Sequence, residues 1–469
     1  MSTLPATFVP MEAAVAAVRP VDTLAIPLGP GAPGACLHSL GDDTPEDRFS
    51  DLKVFCALLP DLYAIFARPS VHLKSGFFGP AERFLRDTGA DVDFVPADFR
   101  RFEPTLAHLK PRVLAIAGAM PVDGRVSLSL HAGAFTSEIA NVIADPNRVL
   151  IVECSPNFPR TFGAGDYQHS IALEDIDFLV QSDRVALNLA DVVASDVESR
   201  IAEIAVTYIH DGCTLQTGIG GIPTQVATRL AAGSGGDYGI HSEMFTTGLM
   251  RLHQSGKVTN RKGTEFDGYS VTTFAAGEPE LYAWLHENSD VRFLPVNIVN
   301  SPEVIARNKN MVAINGAMAV DLSGQVIADS VNGKQFSGIG GHEDFVSGPG
   351  LSTNGRSLIC LPSTSVVNGV MISRILGRLP EGSVVTTPRH QVDIIVTEYG
   401  AAEIAAYPLL NVRTRWRKLV TPTFASNCYR LPMCGQATNS YELYRLGGIV
   451  MPGPPSGPSQ SEPLIPPLP

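Results

Sequence analysis

Gly218-Ile219-Gly220-Gly221-Ile222-Pro223 runs on through Thr224 to Leu230 and into Asp237-Tyr238-Gly239-Ile240-His241-Ser242-Glu243-Met244-Phe245. Upstream, Thr214-Leu215-Gln216 reads as a short strand. Pro223 suits the first turn of a helix, where a missing N–H leaves no intrahelical bond unmade. Val226, Ala227 and Leu230 are spaced along one helical face. Tyr238 to His241 reads as the next strand. A glycine turn therefore sits at the mouth of a helix, and an acid, Glu243, lies just past the following strand. Glycines let backbone N–H groups approach a ligand closely, and a helix N-terminus favours negative charge.

Working toward the N-terminus, the same grammar repeats. Val21 to Gly34 is an apolar strand that ends in a Gly/Pro loop. Val54 to Leu59 is a second apolar run, and Val71 to Phe78 leads into Gly-Pro-Ala-Glu-Arg-Phe-Leu-Arg with Pro80 near a helix start. Val92 to Pro96, Val113 to Ala117, Val149 to Val152 and Phe178 to Val180 follow. Short strands alternating with helical segments predict an α/β fold with an open, mostly parallel, doubly wound sheet. Ligands bind such sheets at the carboxyl ends of the strands.

Leu189 to Ser195 reads as a linker, which places a domain boundary near Asp191. Ser195 with Glu198 forms a capping box, and Val197, Ile201, Ile204 and Tyr208 mark one face of the helix behind it. The second half then starts over with helix, strand and glycine loop. Met120-Pro-Val-Asp-Gly-Arg-Val-Ser-Leu128 is echoed by Met318-Ala-Val-Asp-Leu-Ser-Gly-Gln-Val-Ile327, as two related α/β halves would produce. Further strand-then-turn signals are Phe336 to Phe345 (a second glycine cluster), Leu358 to Ser363, Val384 to Arg389 and Val392 to Gly400.

A chain of 469 residues with 44% apolar and 17% charged residues has the balance of a soluble enzyme of two or three domains. Its formal net charge of −12 argues against nucleic acid and anionic membranes as partners. The seven cysteines are scattered, without a C-x-x-C, which fits a reducing cytoplasm and supplies no zinc pattern. No charged start followed by an apolar core suggests a signal peptide, and no apolar run is long enough to span a bilayer.

On spacing alone the chemistry stays open. Strand, G-x-G, helix, strand and acid occur in the order of a dinucleotide site, but Pro223 stands where close helix–strand packing wants a small residue. Both glycine loops also read as ordinary strand–helix turns. His342 and Glu343 are adjacent metal-type ligands without a third, so no metal is expected.

Gly-Ile-Gly-Gly-Ile-Pro (218–223), Gly-Ile-His-Ser-Glu-Met-Phe-Thr-Thr-Gly (239–248) and Ser-Gly-Ile-Gly-Gly-His-Glu-Asp-Phe (337–345) resemble motifs of the acetyl-CoA hydrolases and class I CoA-transferases. That family includes 4-hydroxybutyrate, butyrate and acetate CoA-transferases. Val304 to Asn308, Arg356 to Thr364 and Val396 to Gly400 resemble it too, so the likeness runs from about Val21 to Glu403 in family order. The resemblance implies two CoA-transferase-type α/β domains, residues 1–190 and 191–404, each an open sheet flanked by helices. It implies coenzyme A as a transient substrate with no permanent cofactor, acyl-CoA and small carboxylates as partners, and a dimer or higher homo-oligomer.

The resemblance assigns Glu243 as the nucleophile that carries a γ-glutamyl-CoA thioester. It places oxyanion donors and CoA contacts on Gly218, Ile219, Gly220, Gly221 and Ile222, and on Gly338, Gly340 and Gly341. Preorganised backbone N–H groups of this kind stabilise a tetrahedral oxyanion by a few kcal/mol each. The motif does not separate transferase from hydrolase, and a non-catalytic CoA-binding subunit is the alternative of a different class. His241 reads as a structural histidine and Glu403 as structural. Glu398 is either a site residue or a tie at the sheet end. Arg356 is either a partner for a CoA phosphate or a solvated arginine.

After Glu403 the sequence leaves the family pattern. The family pattern there includes His-Pro-Asp-Phe-Arg, which the codons CAC CCC GAC TTT CGC encode; read one base later they give Thr-Pro-Thr-Phe, as at 421–424. Residues 405–469 therefore read as an aberrant, frameshifted tail, and its end from Met451 is proline-rich.

Overall fold

The computed structural model describes residues 7–131, 133–405 and 419. The expected change of character after Ile404 thus falls almost wholly outside the described residues.

Seven strands form the first sheet: β1 (Val21–Ala25), β2 (Asp51–Cys56), β3 (Val71–Ser75), β4 (Val92–Phe94), β5 (Val113–Ala119), β6 (Val149–Ser155) and β7 (Phe178–Gln181). Their order is β4-β3-β2-β1-β5-β6-β7, and every pair is parallel. The order reverses between β1 and β5, so this is the doubly wound sheet that the strand–helix alternation predicts. Helices α1 (Gly34–Asp42), α2 (Pro80–Asp87), α3 (Phe102–Leu109) and α4 (Thr136–Ala144) accompany it.

Strand β5 shows why the sheet is covered on both faces. All seven of its residues are buried. Leu114 and Ile116 join one apolar cluster, with Phe102, Leu106 and Ile139 of the helices. Val113 and Ala115 join another on the opposite face, with Leu37, Leu40 and Leu85. Alternate side chains point to opposite faces, so a continuous apolar run needs two covering layers.

Six strands form the second sheet: β8 (Thr214–Thr217), β9 (Gly239–Ile240), β10 (Met311–Gly316), β11 (Arg356–Cys360), β12 (Ile394–Thr397) and β13 (Gly400–Glu403). The order is β9-β8-β10-β11-β12-β13, parallel except for the final antiparallel pair. Its helices include α5 (Asp196–Val206), α6 (Gly221–Ala232), α7 (Thr247–Gln254), α8 (Val296–Val299), α9 (Pro302–Arg307) and α10 (His342–Leu351). Helix α5 carries the predicted capping box. Ser195 Oγ accepts from the Glu198 N–H at 3.3 Å, and the Glu198 carboxylate accepts from the Ser195 N–H at 2.9 Å.

Leu189 to Ser195 runs without regular structure, just after an isolated bridge of Asn188 with Gly277. Arg251 bridges Asp191 at 2.5 Å and Glu278 at 2.8 Å, which ties this segment to α7. The Met120 and Met318 echoes fall at corresponding places. Each follows a strand that neighbours the first strand of its sheet, β5 beside β1 and β10 beside β8. One expectation fails: Val384 to Arg389 forms no strand. Val384 and Val385 are exposed, and the pairing is limited to an isolated bridge of Thr387 with Val326, whose carbonyl also accepts from the Thr386 N–H at 2.9 Å. With Pro388 next in line, that stretch has no neighbour along which a ladder continues.

Candidate active site

Three loops meet at the carboxyl ends of the second sheet. The first follows β8 and holds Gly218 to Gly221. The second follows β9 and holds Glu243. The third lies between β10 and α10 and holds Gly338 to Gly341.

Each residue of His-Ser-Glu-Met-Phe has a separate task. His241 is fully buried, and its Nε2 donates to the Val299 carbonyl at 2.8 Å. Its other ring nitrogen lies 3.3 Å from Asn308 Nδ2. Burial holds its pKa down at about 4, so the ring is neutral and structural, as expected. Ser242 Oγ donates to the Thr217 carbonyl at 3.2 Å, which joins the Glu243 loop to the start of the first glycine loop. Met244 and Phe245 pair in parallel with Phe274 and Ala275. The carbonyl of Glu243 accepts from the Thr273 and Phe274 N–H groups and from Thr272 Oγ1, so its backbone is fixed from three directions.

The Glu243 side chain is partly open. Its Oε2 accepts from Asn300 Nδ2 at 2.6 Å. The same nitrogen donates to Asp344 Oδ2 at 2.9 Å. Burial raises the Glu243 pKa to about 8; the Asn300 hydrogen bond opposes this, and the Asp344 charge adds to it. Asp344 is raised to about 7, again first by burial, with Asn300 and Arg100 opposing. Two carboxylates that share one amide disfavour each other's charge unless a cation compensates. That cation is Arg100, whose guanidinium lies 2.6 Å from Asp344 and 2.7 Å from Asp98.

The structure brings Gly341 and Glu243 into contact. A Cβ on Gly341 would overlap the carboxylate. Gly341 is also the N-cap of α10, so the start of that helix lies beside Glu243. Gly340 has φ +55° and lies against Phe77; its carbonyl accepts from the Phe99 N–H at 2.8 Å. A Cβ on Gly338 would stand 2.7 Å from the Gly76 carbonyl oxygen. This loop is therefore seated on residues 76–77 and 98–99 of the first half. Beside the 76–77 turn, buried Glu82 accepts from the Leu59 N–H at 2.7 Å and the Gly79 N–H at 2.8 Å.

The first glycine loop is looser. Nothing stands within 4 Å of where a Cβ would lie on Gly218 or Gly220, and Gly220 has φ +111°. Ile219 is exposed, whereas Ile222 packs into the core. Gly221 faces the Glu198 carboxylate of α5, and a Cβ there would meet it at 2.7 Å. Gly218 and Gly220 thus face open space, while Gly221 and Ile222 seat the helix.

The remaining candidates fall elsewhere. Glu398 accepts from Ser363 N at 2.9 Å and Oγ at 2.6 Å, a tie at the sheet end. Arg356 opens β11 at its amino end, whereas the glycine loops follow carboxyl ends, so the sheet separates it from the site. Glu403 closes β13 opposite Ile394. His342 Nε2 lies 2.8 Å from Thr387 Oγ1, and Thr387 Oγ1 donates to Glu343. Among the described residues, no group of three or more His, Cys, Asp and Glu is arranged to hold a metal. Asn300, Asp344, Arg100 and Phe77 were not singled out from the sequence. Asp344 lies inside the Gly-His-Glu-Asp-Phe motif, but nothing local marks it as a partner of Asn300, 44 positions away.

Known proteins resemble this chain over most of its length. The succinyl-CoA:cyclohexane-1-carboxylate CoA transferase of Geobacter metallireducens is 33% identical over 397 residues, covering 84% of this chain and 87% of that protein. The chain belongs to the acetyl-CoA hydrolase/transferase family. The family's C-terminal domain, described as "Acetyl-CoA hydrolase/transferase C-terminal domain", matches residues 277–427. The 4-hydroxybutyrate coenzyme A transferase of Clostridium kluyveri is 40% identical over 281 residues, 60% of this chain. The chain spans 64% of that relative's length. RipA from Yersinia pestis superposes with a TM-score of 0.81 at 30% identity, over 90% of this chain and 96% of its own. The α/β architecture is thus shared across this acetyl-CoA hydrolase/transferase fold.

Proposed function

We propose that the protein moves CoA between an acyl-CoA and a small carboxylate, with Glu243 as the covalent carrier. The observation that carries this reading is Glu243 itself: a partly open carboxylate, held by Asn300, against the N-terminus of α10.

A Glu243 oxygen attacks the acyl-CoA carbonyl, the C–S bond breaks, and CoA leaves as the thiolate. The thiolate attacks the glutamyl carbonyl of the resulting anhydride, the acyl carboxylate departs, and a γ-glutamyl-CoA thioester remains. An acceptor carboxylate then attacks this thioester and reverses the two steps. Exchange between carboxylates through an anhydride is nearly isoenergetic, whereas a serine ester would be too stable to return the acyl group. Gly341 at the mouth of α10, Gly338 and Gly340 beside it, and Gly218 to Ile222 supply backbone N–H donors and room for CoA. The substrates named for the relatives suggest acetate, butyrate or 4-hydroxybutyrate as acceptor class. Water in place of the acceptor makes the same site an acetyl-CoA hydrolase, the other activity in the family's description. We assign residues 1–190 and 191–404 as the two CoA-transferase-type halves and residues 405–469 as the aberrant tail. Cytoplasmic placement and a homo-oligomer complete this reading.

Intact mass after incubation with acetyl-CoA and no acceptor tests it. A CoA adduct that maps to Glu243, is reduced by borohydride and is lost in Glu243→Ala is the expected result. Labelled acetate, then water alone, separates transfer from hydrolysis. CoA binding without an adduct would instead favour a non-catalytic CoA-binding protein.

A further inference from the structure

Asn300 is fully buried and caps the end of α8, where its N–H donates to the Val296 carbonyl at 2.8 Å. Both contacts of its side-chain nitrogen are to carboxylates, Glu243 and Asp344. Its Oδ1 is buried without a partner. The amide is therefore oriented through its donor side alone. One of its two acceptors changes during catalysis: when Glu243 becomes an anhydride or a thioester, it loses its charge and accepts more weakly. Asp344 is the acceptor that stays the same.

Asp344 is fully buried in the first turn of α10. It is faced by Asn300 from α8 and by Arg100 from the first half; Arg100 also pairs with Asp98. The next residue back, Glu343, turns to Thr387 instead. The backbone contact of Phe99 with Gly340 fixes the same segment against the same loop.

We propose that Asp344 is a positioning residue for this reaction: it holds the Asn300 amide on Glu243 in every covalent state, and Arg100 favours its charged form and keeps it in place. This rests on Glu243 as the covalent carrier. Its consequence is that the first half of the chain reaches the reacting carboxylate through one relay, Arg100–Asp344–Asn300–Glu243. A donor that drifts by an ångström loses on the order of 10²-fold in rate.

The test is the rate of CoA-adduct formation in the full chain, measured against pH for Asp344→Asn, Arg100→Ala, Arg100→Lys and the double variant of the first two. Asp344→Asn and Arg100→Ala are each expected to slow the adduct by tenfold or more, up to about 10²-fold. KM for acetyl-CoA should stay within about twofold of its original value. The double variant should lose no more than the worse single, because both act through one unit. Arg100→Lys should recover part of the rate. In Asp344→Asn the acid limb should move to lower pH, since a negative charge facing Glu243 has gone. A merely structural residue would not move that limb.

A folded Asp344→Asn with the original rate and limb overturns the proposal, as do additive losses in the double variant. Should Asp344→Asn fail to fold, Arg100→Ala decides, because that side chain is 34% exposed; an unchanged rate there is equally fatal. No adduct in the unaltered protein removes the carrier role of Glu243 and the relay together. An adduct with all variants unaffected removes the relay alone.

Discussion

Gly341 has no room for a side chain because Glu243 fills it: a Cβ there would overlap Oε2 and stand 2.6 Å from Asn300 Nδ2. Its φ of −89° is open to any residue, so contact with the carboxylate, and not backbone conformation, demands glycine. Gly341→Ala should fold and melt within a few degrees of the unaltered protein. Its rate of adduct formation should fall on the order of 10²-fold. Thermal melting and single-turnover mass spectrometry on one preparation check both halves of this.

The Glu243 pKa near 8 has a kinetic consequence. A carboxylate attacks only when ionised, so kcat/KM should climb with pH through neutrality and level off above about 8. A profile already flat from about pH 5.5 upward would show that the carboxylate is ionised throughout, against its buried setting.

The same shift bears on stability. The folded-state pKa lies above the unfolded value, so the folded state holds the extra proton between about 4.5 and 8. The contribution of Glu243 to stability therefore falls as pH rises through that window and is constant above it. Glu243→Gln cannot ionise, so it should match the unaltered protein near pH 4.5. By pH 8.5 it should exceed it by about 2–4 kcal/mol. Denaturant melts at the two pH values measure the difference; a gain independent of pH would contradict it.

His241 holds the carbonyl that precedes Asn300. His241→Ala leaves that carbonyl unpaired and opens a cavity, so it should cost about 2–4 kcal/mol of stability. Any folded fraction should form adduct more slowly, because Asn300 loses its anchor. Urea unfolding and the adduct assay report the two effects separately.

Much of this was legible in the chain. The β8–α6 step could be read from Thr214 to Leu230, because strand, glycine turn, proline and helical spacing are all local signals. The Ser195–Glu198 capping box could be read because its two partners stand three residues apart. Val384 to Arg389 could not, because β-rich composition makes a strand only where a neighbour completes its ladder. Glu243 stood out by motif. Its partners did not: Asn300 is 57 positions away, and Arg100 is 244 positions from Asp344.

Sequence alone determined the alternation of strand and helix, the two glycine turns and the acid beside them, since each depends on residues a few positions apart. Tertiary structure decided which glycine touches the acid, which amide holds it and which arginine from the first half stands behind it. Those are contacts between distant segments, and the partial desolvation that raises the Glu243 pKa exists only once the folded chain surrounds it.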